Sequence, residues 1–214
     1  MVYLFENPGR IREKMLARIL LALPPERKEK ALAFRYAIDQ KQSAIAWLLL
    51  IHALSKEYGI EEQPVLSYGV RGKPQLAAYP SIHFNLSHCK RAVACAVSDS
   101  NVGIDTECVG PFEKELAEKI CNDSELMAIT QSDRPDIAFA TLWTAKESVM
   151  KFTGQGLDDD VREVLTETDI SLYSRIGEAD DGLYALTAAY PPGAKAGFQV
   201  HYLTLSDLVT LDFS

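Results

Sequence analysis

The sequence predicts an α+β fold. Three observations carry the prediction. A helix-forming stretch followed by short strand-forming stretches occurs twice along the 214 residues, once before and once after a hinge near Val102 to Asp105. Hydrophobic residues make up 47% of the chain and charged residues 24%, the balance of a soluble globular protein. No low-complexity segment or flexible linker interrupts this order. The element order is compatible with a duplicated α+β unit, although no residue-level repeat accompanies it.

Each element has its own signal. Residues 10–22 place Ile11, Met15, Ile19 and Ala22 at helical spacing, with basic residues between them. Pro24-Pro25 punctuates, and Glu26 to Tyr36 reads as a short charged helix. Gln40 to Tyr58 is the strongest helix, and Gly59 ends it. Its apolar core, Ala44 to Leu54, is too short for a bilayer, which needs about 20 residues. Short strands are expected at Val65 to Tyr68, Ile82 to Leu86, Ala92 to Ser98 and Val102 to Glu107. Phe112 to Gln131 reads as helical. Arg134-Pro135 opens a helix that runs to about Phe152, where Gly154 and Gly156 stop it. Acidic turns follow at Asp158 to Asp160. Leu183 to Tyr190 and Phe198 to Leu205 are the last strands, split by the Pro-Pro-Gly turn at 191–193.

Charge narrows the function. The formal net charge is −8, which argues against a nucleic-acid binder, whose face must be broadly basic. Residues 1–41 carry nine Lys/Arg against five Asp/Glu, whereas residues 103–181 carry seven against nineteen. Such a split suits an anion held by the first half and a cation held by the second, or reflects solvated charges without a role. The N-terminus lacks the pattern of a secretory signal, and the four cysteines lack CxxC spacing, so a cytoplasmic protein with reduced thiols is expected.

Four segments carry candidate chemistry. In Gly103-Ile104-Asp105-Thr106-Glu107, a strand would put Asp105 and Glu107 on one face. Two such carboxylates suit a Mg²⁺ ion that completes its shell with water and phosphate, or they are solvated acids on a strand edge. In Trp143 to Lys151, a helix would align Trp143, Glu147 and Lys151. That Glu–Lys pair is either a surface ion pair or part of a half-buried site beside the tryptophan. Ser87 and His88 end a strand just before Lys90-Arg91, where a hydroxyl, an imidazole and cations can bind phosphate oxygens. Adjacent residues on an extended chain point apart, so His88 is a poor base for Ser87. Arg71-Gly72-Lys73-Pro74 is a loop in which glycine lets a ligand approach the backbone, or an ordinary turn.

In order and spacing these segments resemble the 4′-phosphopantetheinyl transferases of the surfactin-synthetase-activating type. The matching series is Gly72-Lys73-Pro74, Phe84 to His88, Gly103-Ile104-Asp105-x-Glu107, and Trp143-x-x-Lys146-Glu147-Ser148-x-x-Lys151-x-x-Gly154-x-Gly156. The resemblance covers about residues 25–157. It implies two similar α+β halves, residues 1–103 and 104–214, with the active site in the cleft between them. It also implies transfer of the phosphopantetheine arm of coenzyme A to a serine of an apo acyl or peptidyl carrier protein, with release of 3′,5′-ADP. Asp105, Glu107 and Glu147 would hold Mg²⁺. Arg27, Lys30, Lys73, Ser87, His88 and Lys151 would bind coenzyme A. Glu147 or Glu125 would take the serine proton. A monomer is implied, acting without nucleic acid or membrane. Gln42 stands where the family usually has arginine, with Lys41 beside it, and Cys89 stands where serine is usual. The aromatic residue common near Ile120-Cys121 is missing. Another Mg²⁺-dependent phosphoryl-transfer enzyme and a non-catalytic binding module are the rival readings.

Overall fold

A computed structural model describes residues 1–69, 72–154, 161–166, 169–194 and 199–209. Arg71, Gly156, the acidic run at 158–160 and Phe198 lie outside the described residues.

The chain begins with β1 (Val2–Glu6) and a 3₁₀ turn at Pro8–Arg10. Helices α1 (Glu13–Ala22), α2 (Pro25–Leu32) and α3 (Ala37–Tyr58) follow. Then come β2 (Leu66–Tyr68), β3 (Pro74–Leu76), β4 (His83–His88), β5 (Ala92–Ser98) and β6 (Gly103–Cys108). Helices α4 (Lys114–Ile120), α5 (Asp123–Thr130) and α6 (Pro135–Thr153) precede β7 (Ser171–Ala179) and β8 (Gly182–Tyr190). β9 (Val200–Tyr202) and α7 (Leu205–Val209) complete the described elements.

The expected helices form, with shifted ends. α3 starts at Ala37 and closes on Gly59, whose positive φ of 65° suits glycine. The helical stretch at 112–131 is two helices. They break where Asn122 caps α5 through a capping box with Glu125. Four elements have no counterpart in the sequence reading. β1 is apolar on both faces and so lacks alternation. β3 is only three residues long, β7 is an edge strand carrying Arg175, Glu178 and a glycine, and α7 is a five-residue turn of helix.

Two sheets organise the molecule. The first has the order β4-β5-β1-β9, and the second β6-β8-β7. All pairings are antiparallel except β1 with β9. Val2, Leu4, Ala92, Ala94 and Ala96 of the first sheet pack against Ile104, Tyr184, Leu186 and Ala188 of the second. On its outer side the first sheet buries Tyr3, Phe5, Val93, Cys95 and Val97 under α3. α6 covers the outer side of the second, where Thr144 meets Thr187 at 2.8 Å. The layers are therefore helix, sheet, sheet, helix: two α+β halves stacked back to back. The break near residue 103 falls between the sheets, but β9 crosses back. Residues 200–202 pair with β1, away from the sheet that precedes them in sequence.

β4 and β6 are the edge strands of their sheets, and they face each other. No backbone ladder joins them. Side chains do: Ile104 N donates to Asn85 Oδ1 at 2.9 Å, and Thr106 N donates to Ser87 Oγ at 3.2 Å. An edge that would otherwise present bare amides is satisfied by the other half.

Candidate active site

Asp105 lies on β6 at this seam and is 3% exposed. Its Oδ1 accepts from Ser87 Oγ at 2.8 Å and from Lys151 Nζ at 2.6 Å. Its Oδ2 is buried and has no hydrogen-bond partner among the described residues. A buried carboxylate oxygen left in this state costs free energy unless something binds it.

Lys151 arrives from the last turn of α6, and its ammonium also reaches Ser87 Oγ at 3.2 Å. α6 approaches β6 closely because residue 103 is glycine. A Cβ there would overlap the Ser148 carbonyl oxygen and lie 2.6 Å from Phe152 N. Only a bare Cα lets the helix bring Glu147 and Lys151 down to the strand that carries Asp105 and Glu107.

The carboxylates act on one another. Burial, then the charge of Asp105, pushes the Glu107 pKa up to about 7, while Lys151 opposes the rise and Glu147 adds to it. Glu147 is raised by burial and by Asp105, against the pull of Lys151. Among the described residues no three His, Cys, Asp or Glu side chains stand as a group that could hold a metal ion. The cluster is a set of like charges with one ammonium bound at Asp105.

Lys73 flanks the cluster. Its ammonium donates to Asn101 Oδ1 at 2.8 Å, to Phe152 O at 3.2 Å and to Val102 O at 3.4 Å. Among the described residues its acceptors are neutral, and burial lowers its pKa to about 8. Gly72, Lys73, Pro74, Asn85, Met150, Lys151 and Gly154 line a cavity of about 200 Å³. A larger hollow of about 530 Å³ lies between α3 and β9, lined by Tyr3, His52 and His201, where no carboxylate cluster gathers.

The remaining expected residues fall into different places. His88 ends β4, and the surrounding protein, then Lys151, hold its pKa below the ordinary value while Asp39 and Asp105 oppose. Ser87 is buried, and its hydroxyl bonds to Asp105, Thr106 N and Lys151, so it braces the cluster. Arg27 stacks over Trp47, 4.1 Å from the ring centroid, and burial lowers its pKa. Lys30, one turn on, also has its pKa lowered, by burial and then by Arg27. Glu125 spends its Oε2 on Asn122 N at 2.9 Å and on Lys146 Nζ at 2.8 Å. Lys146 is fully buried and also donates to the carbonyls of Val161 and Arg162. That pair fastens α5 and the 161–162 segment to α6.

Two contributors escaped the sequence reading. Asn85 and Asn101 hold β6 and Lys73 in place, and an asparagine beside a strand gives no signal of such a role. Gln42 is buried and donates to Cys89 O at 2.6 Å, and Lys41 donates to Gly9 O at 3.0 Å.

Two family models divide this chain at the same seam. One, described as 4′-phosphopantetheinyl transferase, N-terminal, matches residues 11–100. The other, described as the 4′-phosphopantetheinyl transferase superfamily, matches residues 101–190 and so contains β6, α6 and the cluster. The chain belongs to the 4′-phosphopantetheinyl transferase superfamily. Among its relatives, a 4′-phosphopantetheinyl transferase of Bacillus subtilis is 34% identical over 145 residues, covering 65% of this chain and 64% of the relative. One from Bacillus pumilus is 33% identical over 135 residues, covering 62% and 58%. The 4′-phosphopantetheinyl transferase Sfp of Bacillus subtilis strain 168 is 28% identical over 191 residues, covering 81% and 85%. The chain thus spans somewhat under two thirds of the first two relatives. Gln42, where the resemblance implied an arginine, serves the backbone just past the end of β4. No helix among the described residues is long and apolar enough to cross a membrane.

Proposed function

We propose that this chain is a transferase that moves the 4′-phosphopantetheine moiety of coenzyme A onto a serine of an apo carrier protein. The observation that carries this reading is the seam itself. Lys151 joins the acidic residues of the second half through Asp105, it lines one cavity together with Lys73, and His88 feels the charges of Lys151 and Asp105, so phosphate and metal recognition would converge there.

The chemistry of the donors suits a divalent cation, although the three carboxylates do not stand gathered as a ready-made group. Asp105 has a buried oxygen without a partner among the described residues, and burial with the nearby Asp105 charge makes Glu107 and Glu147 reluctant to ionise, against the pull of Lys151. Carboxylate oxygens suit Mg²⁺, and Asp105, Glu107 and Glu147 are the proposed ligands. When bound, Mg²⁺ would neutralise charge on the pyrophosphate of coenzyme A.

The chain's own groups supply the rest. Lys151 and Lys73 would face the phosphate oxygens, where charge grows as the bond to 3′,5′-ADP breaks. His88 would hydrogen-bond a phosphate, with Arg27 and Lys30 on the nucleotide side. Ser87 would act through Asp105 and Lys151 as a positioning residue. The carrier serine hydroxyl attacks the β-phosphorus and must lose its proton. Glu147, whose raised pKa makes its carboxylate a stronger base, is the proposed acceptor. Glu125 is proposed as a brace. Residues 1–103 would hold coenzyme A and the following segment the metal, in a cytoplasmic monomer.

The test is incubation with coenzyme A, Mg²⁺ and an apo carrier protein, followed by intact-mass analysis. The carrier gains the mass of the phosphopantetheine arm. A panel of fatty-acid, polyketide and peptide-synthetase carriers that stays apo would sink the reading.

A further inference from the structure

The seam between the halves ends in two cysteines. Asn85 of β4 takes Ile104 N of β6, and Ser87 takes Thr106 N. Two residues further along, this alternation brings Cys89 opposite Cys108. Both belong to the inner faces of their sheets, where Cys89 is buried and Cys108 packs partly buried against the same cluster. Cys89 Sγ lies 3.8 Å from Thr106 Oγ1, and the Cys89 and Cys108 thiols act on each other's ionisation, Cys89 being pushed up and Cys108 down. The other two cysteines are placed apart, Cys95 on the opposite face of the first sheet and Cys121 beneath α4 and α5.

We propose that Cys89 and Cys108 are a redox-modification site, a thiol pair that closes into a reversible disulfide between the two halves. The partner oxidant is a hydroperoxide such as hydrogen peroxide. The more accessible Cys108 sulfur attacks the peroxide and becomes a sulfenic acid with release of water. Cys89 sulfur then attacks that sulfur, the S–O bond breaks, and a second water leaves. The two thiols lose two electrons and two protons, and the peroxide gains both. A dithiol reductant reverses the change by exchange.

The bond would be felt at the site. Closing it draws the sulfurs from non-bonded separation to about 2.05 Å. Cys89 directly follows His88 and Cys108 directly follows Glu107, so both backbones shift beside the charge cluster. Misplacement of about 1 Å at a reacting centre costs up to roughly a hundredfold in rate. This consequence rests on the transferase reading, whereas the disulfide does not.

The experiment treats the full chain with hydrogen peroxide and then alkylates remaining thiols. The expected product has lost the mass of two hydrogen atoms and yields one peptide joining Cys89 to Cys108. It reverts on adding dithiothreitol. Cys108→Ser and Cys89→Ser form no such bond. A protein that keeps both thiols alkylatable, or links other cysteines, overturns the site. In parallel, the transfer rate of oxidised wild type should fall about tenfold or more and recover on reduction, while Cys108→Ser is unaffected. A crosslinked protein with an unchanged rate overturns the effect on the site. If the reduced protein transfers nothing, the functional reading fails and the mass result alone decides the disulfide.

Discussion

Lys73 is the cation whose charge depends most on its surroundings. Its pKa of about 8 arises from burial, with carbonyls and an amide as its partners and no carboxylate among the causes. About nine in ten Lys73 side chains are therefore charged at pH 7, and about one in ten at pH 9. If coenzyme A binds only the charged form, its affinity should weaken roughly tenfold across that span. Replacing Lys73 by glutamine removes a charge-assisted hydrogen bond worth about 1.5–3 kcal/mol, so the dissociation constant at pH 7 should rise between roughly tenfold and a hundredfold. Lys73→Arg keeps its charge to high pH and should flatten the pH dependence. Isothermal titration with coenzyme A at pH 7, 8 and 9 reads all three proteins. Wild-type affinity that does not change between pH 7 and pH 9, or a Lys73→Gln variant with the wild-type slope, would refute the reasoning.

Other outcomes follow from the same geometry. Gly103→Ala forces a methyl group against the Ser148 carbonyl and Phe152 N, and should lower unfolding free energy by about 1–3 kcal/mol in urea titration, with loss of transfer as α6 shifts. Glu107, with its pKa near 7, is about one-tenth ionised at pH 6 and nine-tenths at pH 8. Protons compete with Mg²⁺ for it, so the Mg²⁺ concentration giving half-maximal rate should fall roughly tenfold over that range, and chelation should stop transfer. A half-maximal concentration that is flat with pH would show that Glu107 is no ligand. Lys146→Met leaves Glu125 without its buried partner and should cost about 3 kcal/mol or more in chemical denaturation, since breaking one side of such a pair strands a charge.

Much of the site was legible because its elements are regular. Strand periodicity put Asp105 with Glu107, helical periodicity put Glu147 with Lys151, and the structure brings the two pairs together through a glycine whose role only packing reveals. The family resemblance, beyond periodicity, joined them into one centre. The sequence could not give Ser87 its place. A hydroxyl before a histidine reads as a phosphate ligand, and only the facing edge strand turns it into a brace for Asp105. Glu125 is harder to read for a similar reason, because its ties to the buried Lys146 and to the Asn122 backbone leave no trace in the sequence pattern. β1 and the pairing of β9, though not the β9 strand itself, were hard for a different reason. A strand buried on both faces shows no alternation, and β9 pairs with residues almost two hundred positions away.

That last pairing bears on how the molecule comes to be. β1 leaves the ribosome well before β9, with almost two hundred residues between them. Between those events one flank of β1 offers unpaired amides and carbonyls to any extended chain nearby. The stacking of Tyr3 on His201, with ring centroids 5.2 Å apart, forms only when that flank is covered. Folding therefore has a late, long-range closing step, and the interval before it is when newly made chains are most exposed to one another.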